Sequence, residues 1–261
     1  MSKKSAPRSS ASNHGGQGQL RIIAGEWRSR QFDFPMAHGL RPTPNRVRET
    51  LFNWLAPYVQ GARVLDAFAG SGALFLEALS RGAASALALD MNPAAINSLR
   101  GHLLSLHCDN GQLLNTDALI YLQQPPATPF DLVFLDPPFN QDLLQPACTL
   151  LEEHGWLAAN AWIYTESEDS PSSLGLPGNW RLHREQQAGQ VHYALWQRTA
   201  RAHEQQFQTS LVAAQSTPAD TLERILSAHA ATAAPARTLV AGGWRLPRSR
   251  LARPAHCACP L

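Results

Sequence analysis

The sequence predicts a doubly wound α/β domain: a mostly parallel seven-stranded sheet with helices on both faces, closed by an antiparallel hairpin and preceded by a small β-hairpin. Three observations predict it. Between Arg63 and Ser167, short runs rich in Val, Leu, Ile and Ala alternate with segments of helical periodicity, and strands buried on both faces read as such continuous apolar runs. Glycines and aspartates punctuate the ends of these runs. Then "WRLHREQQAGQVHYALWQR" gives two alternating stretches about a glycine, the pattern of an antiparallel pair.

Taken in order, residues 1–18 are Ser/Gly/Lys-rich without apolar periodicity and read as a disordered leader. "LRIIAGEWRSRQFDF" alternates around Gly25 and Glu26, a hairpin. After "RPTP", Thr43 is placed to cap a helix with Pro44 at its first position, and Val47, Leu51, Trp54 and Leu55 supply its apolar stripe. Hairpin and helix form an N-terminal unit, residues 19–60, and the α/β domain spans residues 61–199. Within it come "RVLDAF", a helix over about 72–81, "ALALD", a helix over about 93–106 and "GQLLN". A short helix near 118–122, "DLVFLD", a helix over about 141–153 and "AWIYTES" complete the alternation. Residues 200–261 are rich in Ala, Arg and Pro, with one helix near 218–230, and read as a disordered extension.

At 261 residues and 44% hydrophobic, the chain is long enough to bury a substantial core. No apolar run approaches the length of a membrane span, and the start lacks the apolar stretch of a secretory signal, so the expected location is the cytoplasm, without a membrane partner. Four cysteines lack zinc spacing, so neither a disulfide framework nor a metal is expected. The net charge of +2 conceals a local excess: Arg21, Arg28, Arg30, Arg41, Arg46 and Arg48 crowd one segment against only Glu26, Asp33 and Glu49. Such a patch suits a polyanion.

Two motifs carry chemistry. In "VLDAFAGSGALFLEAL", Gly70 and Gly72 fall in the turn after the first strand of the domain, where a backbone that approaches a ligand has no room for Cβ. Asp90 ends the next strand, placed to accept from ribose hydroxyls. This much fits NAD as well as S-adenosylmethionine. Phe75 at the third glycine position and Asp66 at the strand end favour the second, since a carboxylate attracts ammonium and sulfonium charge and repels a pyrophosphate. Asp117 in "NTDAL" is placed to accept from an adenine amino group or to cap the helix that follows.

The second motif is "DLVFLDPPFN". Asp136 emerges at the carboxyl edge of its strand, Pro137 and Pro138 remove two N–H donors, and Phe139 offers a flat face for a nucleobase. An acceptor-only edge is suited to an exocyclic amino group, whose lone pair is otherwise delocalised into the ring.

The "DPPF" tetrapeptide behind a glycine turn resembles the class I methyltransferases that modify base amino groups. More narrowly, "LRIIAGEWRSR", "LRPTPNRVRETLFNWL", "LDAFAGSGALFLEALSRGA", "VFLDPPF", "LLEEHGWLA" and "IYTESE", with the closing hairpin, resemble the RsmD-type enzymes over about residues 20–198. The resemblance implies a Rossmann-like methyltransferase fold and transfer of a methyl group from S-adenosylmethionine to N2 of the G966-equivalent guanine in 16S ribosomal RNA. S-adenosylhomocysteine is the implied product, and the implied partner is a small ribosomal subunit during assembly, met by a monomer. It further implies that Asp66, Phe68, Gly70, Gly72, Asp90 and Asp117 bind the donor and that Asp136, Pro137 and Phe139 face the target base. Arg28, Arg30, Arg41, Arg46 and Arg48 are expected on RNA phosphates. Methylation of an adenine or cytosine amino group, in DNA or another RNA, and a non-catalytic role in ribosome assembly are the alternatives.

Overall fold

The computed structural model describes residues 17–35, 43–139 and 141–200. The expected extension beyond residue 200 and Arg41 lie outside them, as does nearly all of the expected leader. Its last two residues do not belong to it: β1 (Gln17–Arg21) starts at Gln17 and pairs antiparallel with β2 (Gln31–Pro35), Gln17 opposite Pro35 and Gly18 opposite Phe34. The strand is held by its ladder to β2 and by Leu20, which is buried in the core. Helix α1 (Asn45–Trp54) follows, burying Val47, Arg48, Leu51 and Phe52.

The expected alternation then runs through β3 (Arg63–Asp66), α2 (Ala73–Ser80), β4 (Ser85–Asp90), α3 (Pro93–Ser105), β5 (Gly111–Asn115) and α4 (Ala118–Leu122). It continues with β6 (Phe130–Leu135), α5 (Leu144–Glu153), β7 (Leu157–Ser167) and the hairpin β8 (Trp180–Ala188) and β9 (Val191–Arg198). The seven strands lie in the order β5-β4-β3-β6-β7-β9-β8, parallel except for β9, which is antiparallel to both neighbours. The chain steps outward from β3 to β5 and returns to β6 on the other side of β3. That reversal opens a crevice at the carboxyl ends of β3 and β6.

Alternation along the strands sends side chains to two cores. Val64, Phe134, Tyr164 and Leu195 face α1, α2 and α3, while Leu65, Val133, Leu135 and Ile163 face α4 and α5. Phe75, on the first turn of α2, is fully buried, and its ring end would stand only 3.1 Å from a Cβ at Gly111. The absent side chain of Gly111 makes the room.

The N-terminal hairpin is fastened to α2. Glu77, fully buried, accepts from the backbone N–H of Ile23 (2.8 Å) and Ala24 (3.0 Å) and from Arg81 Nε (2.7 Å), with Arg48 Nη1 at 3.9 Å. Ser80 adds three more bonds, accepting from the amides of Glu26 and Trp27 and donating to the carbonyl of Ala24. Gly25 is at φ +86°, and a Cβ there would lie 1.9 Å from the Ser80 carbonyl oxygen, so no side chain is tolerated at this contact. At the opposite edge, Glu152 of α5 is held by Arg198 of β9 and by Trp180 Nε1. No helix among the described residues is long and apolar enough to cross a membrane.

Candidate active site

Three strands that are neighbours in the sheet each end in a carboxylate on one face. Asp66 closes β3 and pairs in register with Phe134 of β6; Asp136 immediately follows Leu135, the last residue of β6; Glu166 on β7 is one step past Thr165, the partner of Leu135. Because side chains alternate, all three lie on the face that carries Phe134 and Tyr164. None forms an ion pair with a Lys or Arg among the described residues.

Asp66 is 2% exposed, and its Oδ1 has no hydrogen-bond partner. Burial raises its carboxyl to about 8, the charge of Asp136 adds to the rise, and the amides of Phe68 and Phe75 oppose it. A buried oxygen left in this state suits a cationic ligand group. Beside it the turn is built from Gly70 at φ +51° and Gly72 at φ +76°, where a Cβ would meet Leu99 Cδ2 at 2.1 Å. Asp90 anchors this turn, accepting from Gly70 N–H through one oxygen and from Asn92 N–H through the other, both at 2.7 Å. Each oxygen keeps a second lone pair for a ribose hydroxyl. Asp117 caps α4, accepting from Ile120 N–H at 3.1 Å, and Phe68 packs, partly buried, against the second core.

On the other side of the crevice, Asp136 and Phe139 are partly buried, Pro137 is buried and Pro138 is exposed. Thr43 does not cap α1. The N-cap is Pro44, without a side-chain bond, and the Thr43 hydroxyl instead donates to Asp136 Oδ2 at 3.1 Å. The proline stiffens the helix start, which leaves the neighbouring hydroxyl available to the site. Thr43 also faces Glu166, whose Oε1 accepts from Tyr164 Oη at 2.7 Å. Burial raises Asp136 to about 6 against the bond from Thr43, and raises Glu166 to about 8, with the charge of Asp136 adding to the second rise.

A family model described as conserved hypothetical protein 95 matches residues 20–197. The ribosomal RNA small subunit methyltransferase D of Escherichia coli is 52% identical over 188 residues, covering 72% of this chain and 94% of that protein. The protein of the same name from Haemophilus influenzae is 47% identical, covering 69% and 95%. The solved structure of yhhF from Escherichia coli superposes with a TM-score of 0.66 at 52% identity, over 70% of this chain and 100% of that one. The chain belongs to the RsmD-type ribosomal RNA methyltransferase family.

Within this RsmD-type fold the arginine segment divides. Arg28 and Arg30, on the turn between β1 and β2, and Arg46 on α1 are exposed. Arg48 is not available to a polyanion. It is 1% exposed, donates to the Arg21 carbonyl (2.8 Å) and to Asn45 Oδ1 (2.6 Å), and sits beside Glu77. Helical spacing placed Arg48 next to the buried Val47 and Leu51, and burial lowers its guanidinium pKa while Glu77 raises it.

The residues that sequence reasoning missed are Thr43 as a partner of Asp136, and the pair Tyr164 and Glu166. For Glu166 the signal was present. It ends an apolar strand with a carboxylate, as Asp66 and Asp136 do.

Proposed function

We propose that the protein transfers a methyl group from S-adenosylmethionine to the exocyclic N2 of the G966-equivalent guanine in small-subunit ribosomal RNA. The single observation that carries the reading is the placement of the Asp136 to Phe139 segment at the end of β6, beside the glycine turn and the buried Asp66 of β3, whose Oδ1 has no partner. Such a site is wide enough in chemistry for two ligands and holds an acceptor for each.

The residues present fit the donor. Asp66 and the turn of Phe68, Gly70 and Gly72 would hold its methionine part, Asp90 the ribose and Asp117 the adenine. Bound there, S-adenosylmethionine supplies an electrophilic methyl carbon on a sulfonium centre and leaves as S-adenosylhomocysteine. The chain's own part is to present the nitrogen. Asp136 and the proline carbonyls accept from the amino hydrogens, draw the lone pair out of conjugation and stabilise the positive charge that develops on nitrogen. Phe139 stacks on the base, fixing the angle of approach. Asp136 must be ionised to do this, so the rate rises through its raised pKa of about 6.

Arg28, Arg30 and Arg46 lie on the N-terminal unit that carries Thr43, and they suit phosphates of the folded RNA around the target. The substrate in the cell is the assembling subunit, met by a monomer in the cytoplasm. Deleting the gene and measuring N2-methylguanine in small-subunit RNA tests the reading. The modification is expected to disappear from one position and to return with the wild-type gene; if it persisted unchanged, the assignment would fail.

A further inference from the structure

The Thr43 hydroxyl carries one hydrogen, and the structure gives it to Asp136. Thr43 also lies within hydrogen-bonding reach of Glu166, where a donated hydrogen would favour the carboxylate; with that hydrogen committed to Asp136, the Thr43 oxygen can only accept. A carboxylate has no hydrogen to give, so the second contact is a bond only if Glu166 is a carboxylic acid. Its surroundings agree. Glu166 is 5% exposed, faces the Asp136 carboxylate from β6, and has Tyr193 of β9 as its register partner and Tyr164 two residues back on its own strand. Asp66 of β3 stands beyond Asp136 on the same face. Every titratable group named here is acidic.

We propose that Glu166 is a positioning residue of the transfer reaction: as a neutral acid it donates to Thr43, which donates to Asp136 and holds that carboxylate ionised and aimed at the target amino group. The chain is Glu166 O–H to Thr43 Oγ1, then Thr43 O–H to Asp136 Oδ2. Tyr164 fixes the other end by donating to Glu166 Oε1, the carbonyl oxygen of the acid. Each bond polarises the next, so removing the terminal proton weakens the hold on Asp136. Once Glu166 ionises, two neighbouring carboxylates compete for the single hydrogen of Thr43 and repel one another. Burial raises both groups, and the charge of Asp136 pushes Glu166 higher still, so Asp136 ionises first.

The inference rests on the methyl-transfer reading of Asp136 and has a different failure. Single-turnover methylation of small-subunit RNA is measured from pH 5.5 to 9.5 at saturating donor and RNA. Wild type is expected to show a bell, rising near 6 and falling near 8 by about tenfold per pH unit. In E166Q the amide N–H₂ donates at every pH, so the alkaline fall is lost while the acid limb remains. E166A loses roughly 10- to 100-fold in kcat with KM for donor and RNA little changed, and E166Q recovers most of that loss. Thr43→Val breaks the chain at its middle and likewise gives a low rate without the alkaline limb, which decides the matter should E166Q fail to fold.

A second readout needs no catalysis. The infrared carbonyl band of protonated carboxyls at pH 7 should lose the Glu166 contribution in E166Q and keep that of Asp66. An alkaline limb that persists in E166Q or Thr43→Val, an E166A variant with wild-type kcat, or an unchanged acid band in E166Q would each overturn the proposal. If wild type methylated no RNA while the acid band behaved as stated, the functional reading would fail and the protonated Glu166 would stand.

Discussion

Two sets of buried or partly buried carboxylates lie on the same side of the sheet and are treated in opposite ways. Glu77 is surrounded by donors fixed in place, with Arg81 and Arg48 alongside and the amides of Ile23 and Ala24 on its oxygens. Asp66, Asp136 and Glu166 have hydroxyls, amides and one another, and one Asp66 oxygen has nothing. A buried charge that already has its counter-charge is part of the fold; breaking the pair leaves an uncompensated ion. A row of acids without a counter-charge is unfavourable in the free protein and becomes favourable when a ligand brings cationic or N–H groups to it. The difference separates the anchor from the candidate site.

The sharpest test of that division is Asp136→Ala. It is expected to lower kcat by about 10³-fold, the scale of losing a preorganised group that stabilises transition-state charge, while calorimetry shows donor affinity within about threefold of wild type. Loss of donor binding on the same scale as activity would merge the two halves of the row into one.

Glu77→Ala is the counterpart in the anchor. It strands Arg48 and Arg81 and removes the acceptor for two amides, so urea denaturation should show a loss of about 3 kcal/mol or more. Glu77→Gln keeps an acceptor for the amides and should lose less. Stability unaffected by both changes would erase the contrast.

Asp66→Asn tests the row by its pH dependence, and the sign is opposite to that of an ion-paired acid. An Asp ionises near 3.8 when unfolded and Asp66 near 8 when folded, so between these values the folded state binds more protons and stability falls as pH rises. The asparagine variant removes this dependence, and at pH 8.5 its melting temperature should exceed that of wild type by a few degrees, the difference vanishing near pH 4. Donor affinity should drop about tenfold or more. A lower melting temperature at both pH values would mean that Asp66 is structural, like Glu77.

Much of this was legible in the sequence, because strands buried on both faces have little freedom of register and carry their functional residues at their ends. Asp66, Asp90 and Asp136 announced themselves as charges terminating apolar runs, and each stands at its strand end. Glu166 obeyed the same rule and was passed over, since no proline or glycine followed it. Thr43 was misread for a reason of range: a hydroxyl before a helix has a local partner that sequence shows and a partner 93 residues away that only folding reveals. Arg48 failed in the same manner. Its place in a run of arginines suggested a surface, and the helix turned it inward.

The arginines give the smallest effects and the finest test. Arg28, Arg30 and Arg46 are exposed, and the first two sit on a turn held rigid by Ser80 and Glu77, which fixes where their charges stand relative to the crevice. Each one changed to Ala should weaken RNA binding modestly and reduce the slope of log affinity against log salt by about 1, without altering the melting temperature. Arg48→Ala should do the reverse. It is buried against Glu77 and the Arg21 carbonyl, so it lowers stability and leaves the salt slope alone once the variant is folded. If Arg48→Ala shifted the salt slope as Arg46→Ala does, its guanidinium would have to leave the anchor when RNA binds, and the line between anchor and site would be a conformational one.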